Sequence, residues 1–257
     1  MEEGVYLRNR SIGLIVIVAL LAFPADTLAQ TAARAAAPAP KTADGKPDFS
    51  GIWQRTGRLS RRFTAEDAPL QPWALEIYKT NRKGVTDFNE QGLDELDPTY
   101  NCGPPGPTRA MILRQFEIVQ TQNQVIILFE WDHWVRRVYM DGRGHPDGYP
   151  FGWMGHSTGK WDGDTLVVDT VDINARTWID MAGTPHSDEL HVVERIRRID
   201  AETTEIDFLF DDPKAFTKPW GSKIIFKLRP DLEILEHVNC EDHLLEEHLK
   251  NSSTGYH

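Results

Sequence analysis

His156, Asp169, His191 and Asp212 are the residues of this chain best suited by type to move protons. An imidazole can take or give a proton near neutral pH, and an adjacent carboxylate fixes its tautomer and favours its charged form. Hairpin counting brings the four together. Trp153–Trp161 and Thr165–Ile173 read as strands around Asp162-Gly163-Asp164. If Asp162-Gly163 is a two-residue loop, Trp161 pairs with Asp164 and His156 falls opposite Asp169, their Cβ atoms about 5 Å apart. His191–Ile199 and Thr204–Phe210 flank a second turn; symmetric about Ala201-Glu202, it pairs Asp200 with Thr203 and sets His191 opposite Asp212. Glu189 then shares a face with His191. The expected machinery is His156 as general base oriented by Asp169, His191 with Asp212 as a second proton-transfer pair, and Glu189 as acid. Arg137 and Arg195 would stabilise a developing oxyanion.

The same residue types could hold a metal. His186, Glu189 and His191 lie within six positions and, with His156 near, offer a two-histidine, one-carboxylate set for zinc or iron. Their spacing matches no strong metal motif, and the acid–base chemistry needs no cofactor, so zinc or iron stands as the alternative. Gly155-His156-Ser157-Thr158-Gly159 has the letters of a nucleophile elbow, but that motif needs a strand, a sharp turn and a helix, whereas this one leads into a hairpin. The sequence holds no phosphate-cradling glycine loop, dinucleotide fingerprint or haem-attachment motif.

These side chains must be positioned by hairpins. Short β-rich runs recur from residue 110: Met111–Gln120 with Val125–Met140, the two hairpins above, and Lys223–Leu228 with Glu233–Asn239. Eight or nine such strands in sequence predict an all-β, up-and-down barrel of calycin or lipocalin type with an N-terminal arm; a two-sheet sandwich is the alternative. Read as one strand, Val125–Met140 carries Glu130, Asp132, Trp134 and Arg136 on one face and Trp131, His133, Arg137 and Tyr139 on the other. Either the barrel interior is partly polar, as a ligand cavity would be, or this strand leaves the core. Trp153, Trp178 and Tyr139 are candidate substrate contacts, the first two in irregular segments suited to the mouth of a barrel. Helix is expected only near Pro72–Asn81, and briefly over His243–Lys250.

The N-terminus reads as an export signal over residues 1–29: Arg8 and Arg10, an apolar run Ile12–Phe23, then Thr27-Leu28-Ala29 before a cut at Gln30. The run is short for a membrane span, which needs about 20 residues. Ala- and Pro-rich sequence over 30–43 predicts a disordered linker, and 44–257 a single domain. Acidic residues outnumber basic ones, 39 to 28, which argues against nucleic acid and anionic membrane surfaces as partners and reads as solubility; the expected partner is a small-molecule ligand in the barrel cavity. In an oxidising compartment the only two cysteines, Cys102 and Cys240, are expected to form a disulfide.

Several stretches carry a resemblance: Asp44-Gly-Lys-Pro-Asp-Phe-Ser-Gly-Ile-Trp53, Asp141-Gly-Arg-Gly-His-Pro146, Gly155–Thr170, His186–Arg195 and Asp212–Trp220. Over residues 44–241 the chain resembles a group of exported bacterial proteins of largely uncharacterised function. That resemblance implies export and one domain, and assigns no catalytic residue.

Overall fold

The protein is described here by a computed structural model covering residues 37–56, 63, 68–83, 97–237 and 240. The export signal, residues 30–36 of the linker and the helix expected at His243–Lys250 lie outside the described residues. Nine strands close a barrel in chain order: β1 (Gly51–Arg55), β2 (Phe116–Gln120), β3 (Gln124–Phe129), β4 (Val135–Tyr139), β5 (His156–Asp162), β6 (Thr165–Val171), β7 (His191–Arg198), β8 (Thr203–Asp211) and β9 (Trp220–Leu228). A ring of nine cannot have every neighbour antiparallel, because strand direction must alternate an even number of times. The odd junction is β4–β5, which is parallel and holds only two register pairs, Val138 with Ser157 and Tyr139 with Thr158. Parallel neighbours need a crossover rather than a tight turn. The residues from Met140 to Gly155 supply it, and they carry His145 and Tyr149.

The hydrophobic pattern explains the core. Trp53, Phe116, Phe129, Ile206, Phe208, Phe210 and Phe226 are buried at alternate strand positions and fill the barrel. Phe116 packs edge-on against Phe226 with ring centroids 5.3 Å apart. Helix α1 (Pro72–Lys83) forms where expected. Its Gln71 backbone N–H is bonded to the Ala215 carbonyl, which ties the helix start to the β8–β9 connection.

Five sequence expectations change here. Met111–Leu113 close a second helix, α2 (Pro107–Leu113), opened by Gly106 and Pro107 and buried at almost every position. The run Val125–Met140 breaks into β3 and β4 at a tight turn over Trp131–His133, where Asp132 and His133 take left-handed backbone conformations (φ 48° and 55°). Glu233–His237 forms no strand, and β1, from the region read as an arm, closes the barrel by pairing with both β2 and β9. Residues 37–43, expected within the linker, lie against the barrel: the Ala37 carbonyl accepts from the Ala201 N–H at 2.8 Å, and Lys41 bridges to Pro47.

The expected disulfide is present between Cys102 and Cys240, whose Cα atoms are 5.4 Å apart across 138 positions of chain. Among the described residues no helix is long and apolar enough to cross a membrane.

Candidate functional site

The β5–β6 hairpin turns at Gly163-Asp164, with Asp162 paired to Thr165, one residue later than the count above assumed. Gly163 has φ +61° and is the first of the two loop residues, the position at which a type II′ turn calls for glycine. Thr158 therefore lies opposite Asp169, and His156 opposite Val171. The slip moves both partners together and so preserves the faces. His156 and Asp169 remain on the same face as diagonal neighbours, on the outer surface of the barrel and not in its interior.

The crossover completes the site. His145 bridges the diagonal, its Nδ1 2.8 Å from His156 Nδ1 and its Nε2 3.0 Å from Asp169 Oδ1. The same carboxylate oxygen is 3.0 Å from His191 Nε2 on β7. Four side chains thus form one hydrogen-bonded series: His191, Asp169, His145, His156. Tyr139 of β4 stacks on the His156 ring at 5.4 Å, and Tyr149 of the crossover meets it edge-on at 4.8 Å. Arg143 lies over Tyr139, 4.1 Å from its ring centroid, and pairs with Asp141.

Electrostatics separates the histidines. The hydrogen bond that His191 donates to Asp169 raises the pKa of His191, with the Asp169 and Asp211 charges adding to the rise. Burial lowers that of His156, helped by His145. The His191 hydrogen bond holds the Asp169 carboxyl below its ordinary value. As an ionised carboxylate, Asp169 can only accept, so both histidine Nε2 atoms bonded to it carry hydrogens. Neutral His145 then presents a bare Nδ1, which accepts from His156 Nδ1–H. His156 is left with a lone pair on Nε2, which makes no hydrogen bond among the described residues. The arrangement can hold one imidazole neutral and basic beside another held in its charged form.

The remaining expected site residues lie elsewhere. The Ile199–Thr203 turn slips by one residue, pairing His191 with Asp211. Asp212 is displaced to the opposite side, where it is buried and accepts from Ser187 N–H and Oγ–H and from the Ala215 N–H. Glu189 is paired with Lys214 at 3.0 Å. His186 is buried, its nitrogens taken by Thr177 Oγ1 and the Ser187 carbonyl, both at 2.8 Å. The expected metal set therefore does not assemble, and among the described residues no three His, Cys, Asp or Glu side chains are arranged to hold a metal ion. Arg137 points outward into solvent on β4, and Arg195 is bonded to Asp162 at 2.7 Å. Trp178 is buried with the Arg109 guanidinium 5.2 Å from its ring, and Trp153 is half-buried at the end of the crossover.

Of the two alternatives the sequence left open, a partly polar interior is present, formed by Arg136 from the charged run together with Ser157, Thr170 and Glu194. Arg136 points inward, its Nη1 3.0 Å from Glu194 Oε1 and its second amino group on the other carboxylate oxygen. Arg136 Nε donates to Ser157 Oγ at 3.1 Å and Nη2 to Thr170 Oγ1 at 2.8 Å. At the far end of the barrel a groove of about 430 Å³ is lined by Thr42, Asp44, Gln120, Thr121, Gln122 and Trp161.

Compared with models of known families, with curated proteins and with solved structures, the chain finds no match.

Proposed function

We propose that the protein is an exported small-molecule enzyme that performs cofactor-independent acid–base chemistry at the outer-face histidine series. The observation that carries this reading is the chain of bonds from His191 through Asp169 and His145 to His156. It assigns a tautomer to each ring and leaves the His156 Nε2 lone pair as the base. The elementary step is removal of a proton from a carbon beside a carbonyl. The proton goes to His156 Nε2, and the electron pair goes to the enolate oxygen. Return of a proton at another carbon completes an isomerisation, while loss of a β-hydroxyl completes an elimination. His191, whose charged form Asp169 favours, supplies charge stabilisation that the sequence had assigned to Arg137 and Arg195.

An apolar or aromatic oxygenated substrate fits the surroundings. Tyr139 and Tyr149 flank His156. The row that begins Thr158, Asp169 continues across β7 and β8 as Val193 and Leu209, and Leu209 is an exposed apolar side chain. Export accords with the signal-like N-terminus, the Cys102–Cys240 disulfide and the resemblance to exported bacterial proteins. Zinc or iron chemistry at His186, Glu189 and His191 finds no support in where those side chains lie.

The test uses protein recovered from a periplasmic fraction, whose intact mass should place its first residue at Gln30. It is incubated in D2O with a panel of small ketones bearing acidic α-protons, such as acetophenone, phenylacetone and cyclohexenone. Wild type should introduce deuterium into at least one member at least a hundredfold faster than His156→Ala, a general-base contribution of about 10²–10⁴. Equal rates in the two proteins, or no exchange in either, would remove the assignment. A non-catalytic carrier is the second reading, favoured by the groove beside Trp161. It predicts a ligand released unchanged on denaturation and retention weakened by Trp161→Ala.

A further inference from the structure

His156 is only 4% exposed, although it sits on the outer face of the barrel. What covers it is the crossover. From Asp141 to Phe151 every residue is exposed except His145, which is half-buried. Among the described residues this segment makes no backbone hydrogen bond to the barrel. Its two hydrogen bonds to other described residues both involve the His145 ring. The backbone is fixed again only at Met140, which donates to the Asn123 carbonyl, and at Gly152, which donates to the Asp172 carbonyl. Gly142 and Gly148 flank His145 with φ +81° and +68°, and a Cβ on either would meet nothing within 4 Å. The segment is thus an exposed strap with open glycines on both sides of one half-buried side chain.

We propose that Asp141–Phe151 is a lid over His156, latched through the His145 imidazole, and that protonation of both His145 and His156 opens it. This inference rests on the reading of His156 as the reactive group, whose regulation it describes.

The latch bond joins two ring nitrogens 2.8 Å apart and needs one hydrogen between them. With both rings neutral, or with one proton added, a donor still faces an acceptor and the bond survives. With both rings charged, two N–H groups face each other and the contact turns repulsive. The groups around the latch set the balance. Asp169 of β6 holds the far side of the His145 ring, and His191 of β7, itself beside Asp211 of β8, competes for the same carboxylate oxygen. Asp172 favours a proton on His156, whereas Arg143 of the lid opposes one. The phenol rings of Tyr139 and Tyr149 lie against His156, and Asp141 neutralises Arg143. His156 is itself bonded to no carboxylate among the described residues, so a charged His156 ring has no ion-pair partner within the series. Acid therefore exposes His156 while removing its lone pair: the site is uncovered and switched off together. At neutral pH a substrate gains access by breaking the same His145 latch together with the ring contacts of Arg143 on Tyr139 and Tyr149 on His156.

The experiment reads accessibility, not turnover. Relaxation of the His156 ring Cε1–H by a neutral gadolinium chelate is measured on the full chain at about pH 7.5 and about pH 5, on either side of the ordinary histidine range. Wild type should be protected at the higher pH, with relaxation rising several-fold at the lower. His145→Phe, which keeps a ring but cannot be charged, should show the same relaxation at both values. His145→Ala should be accessible at both. Thermal melting of both variants near the wild-type temperature confirms the fold. Equal relaxation of wild type at the two pH values would overturn the proposal, as would a His145→Phe response that follows wild type. The outcome is separable from that of the deuterium assay. A latch that behaves as described in a protein without exchange activity would leave the lid standing and remove the enzyme.

Discussion

The two faces of strands β4 to β7 carry polar clusters of similar size and opposite character. Inside, Arg136, Ser157, Thr170 and Glu194 each come from one strand, and Arg136 and Glu194 are 2% and 0% exposed. Outside, Tyr139, His156, Asp169 and His191 come from the same four strands in the same order. The inner guanidinium is bonded through all three of its nitrogens to side chains within the barrel. The outer series ends in a histidine with one nitrogen uncommitted. A buried ion pair with every bond satisfied can hold strands together but has nothing left to offer a ligand. A half-exposed series with an open end can bind and exchange protons. The inner cluster also bridges the weakest seam of the barrel. Arg136 on β4 bonds Ser157 on β5 across the parallel junction that has only two register pairs.

The largest effect should follow from breaking the inner face. Glu194→Ala leaves the Arg136 charge sealed in the barrel without its partner, a loss of about 3–5 kcal/mol for one half of a buried pair. Urea unfolding should show a midpoint shift of that size. Replacing both residues, Arg136→Met with Glu194→Leu, should recover most of it, because no buried charge then remains. A double variant as unstable as the single one would mean that the network does more than satisfy its own charges.

How far the sequence revealed each face depends on what fixes a side chain's position. The barrel was legible because β-rich runs and turns recur along most of the folded chain. His156 and Asp169 were legible as neighbours on one face because an error of one residue in the Gly163 turn moves both strands' pairing and keeps the faces, although His145 stands between them and His191 had been paired with Asp212. The other turn was less forgiving: the one-residue slip near Asp200 replaced Asp212 by Asp211 opposite His191. Arg136 and Arg137 were exchanged in role because Val125–Met140 was taken as one strand. Asp132 and His133, residue types that tolerate the left-handed region better than most, were the available sign of a break. His145 was missed because a crossover has no register to count. The usable hint was topological: nine strands force one parallel junction, and the connection that makes it must cross the outer wall.

On the outer face, Asp169→Asn should leave stability nearly unchanged, since the carboxylate is about 41% exposed and such pairs contribute less than about 1 kcal/mol. Its effect should fall on protonation and rate. Without the carboxylate the pKa of His191 falls back toward its ordinary value, which ring-proton NMR titration reads directly. Neither His145 nor His191 then has its tautomer fixed, and the deuterium exchange assay should lose about as much as in His156→Ala. A variant with full exchange activity would show that the series is ornamental, whatever its geometry.

The smallest effect is the pH dependence of stability, and it distinguishes the two ends of the series by sign. His191 has a raised pKa, so its stabilisation is fully present below its unfolded value of about 6.5 and is lost as pH rises through the higher folded value. His156 has a lowered pKa, so its contribution is present above about 6.5 and is lost as pH falls through the lower folded value. Asp169 adds a loss only at strongly acidic pH, as pH falls through its depressed folded value. Wild type should therefore lose stability in both directions away from the histidine midpoint. His191→Gln should flatten the alkaline limb of a plot of unfolding midpoint against pH, and His156→Gln the limb just below neutrality. The inner-face variants should shift the whole curve without changing its shape, because Arg136 and Glu194 make no bond to the histidine series. If His191→Gln instead flattens the acid limb, the direction of proton sharing through Asp169 is reversed, and the lone pair belongs to the other end of the series.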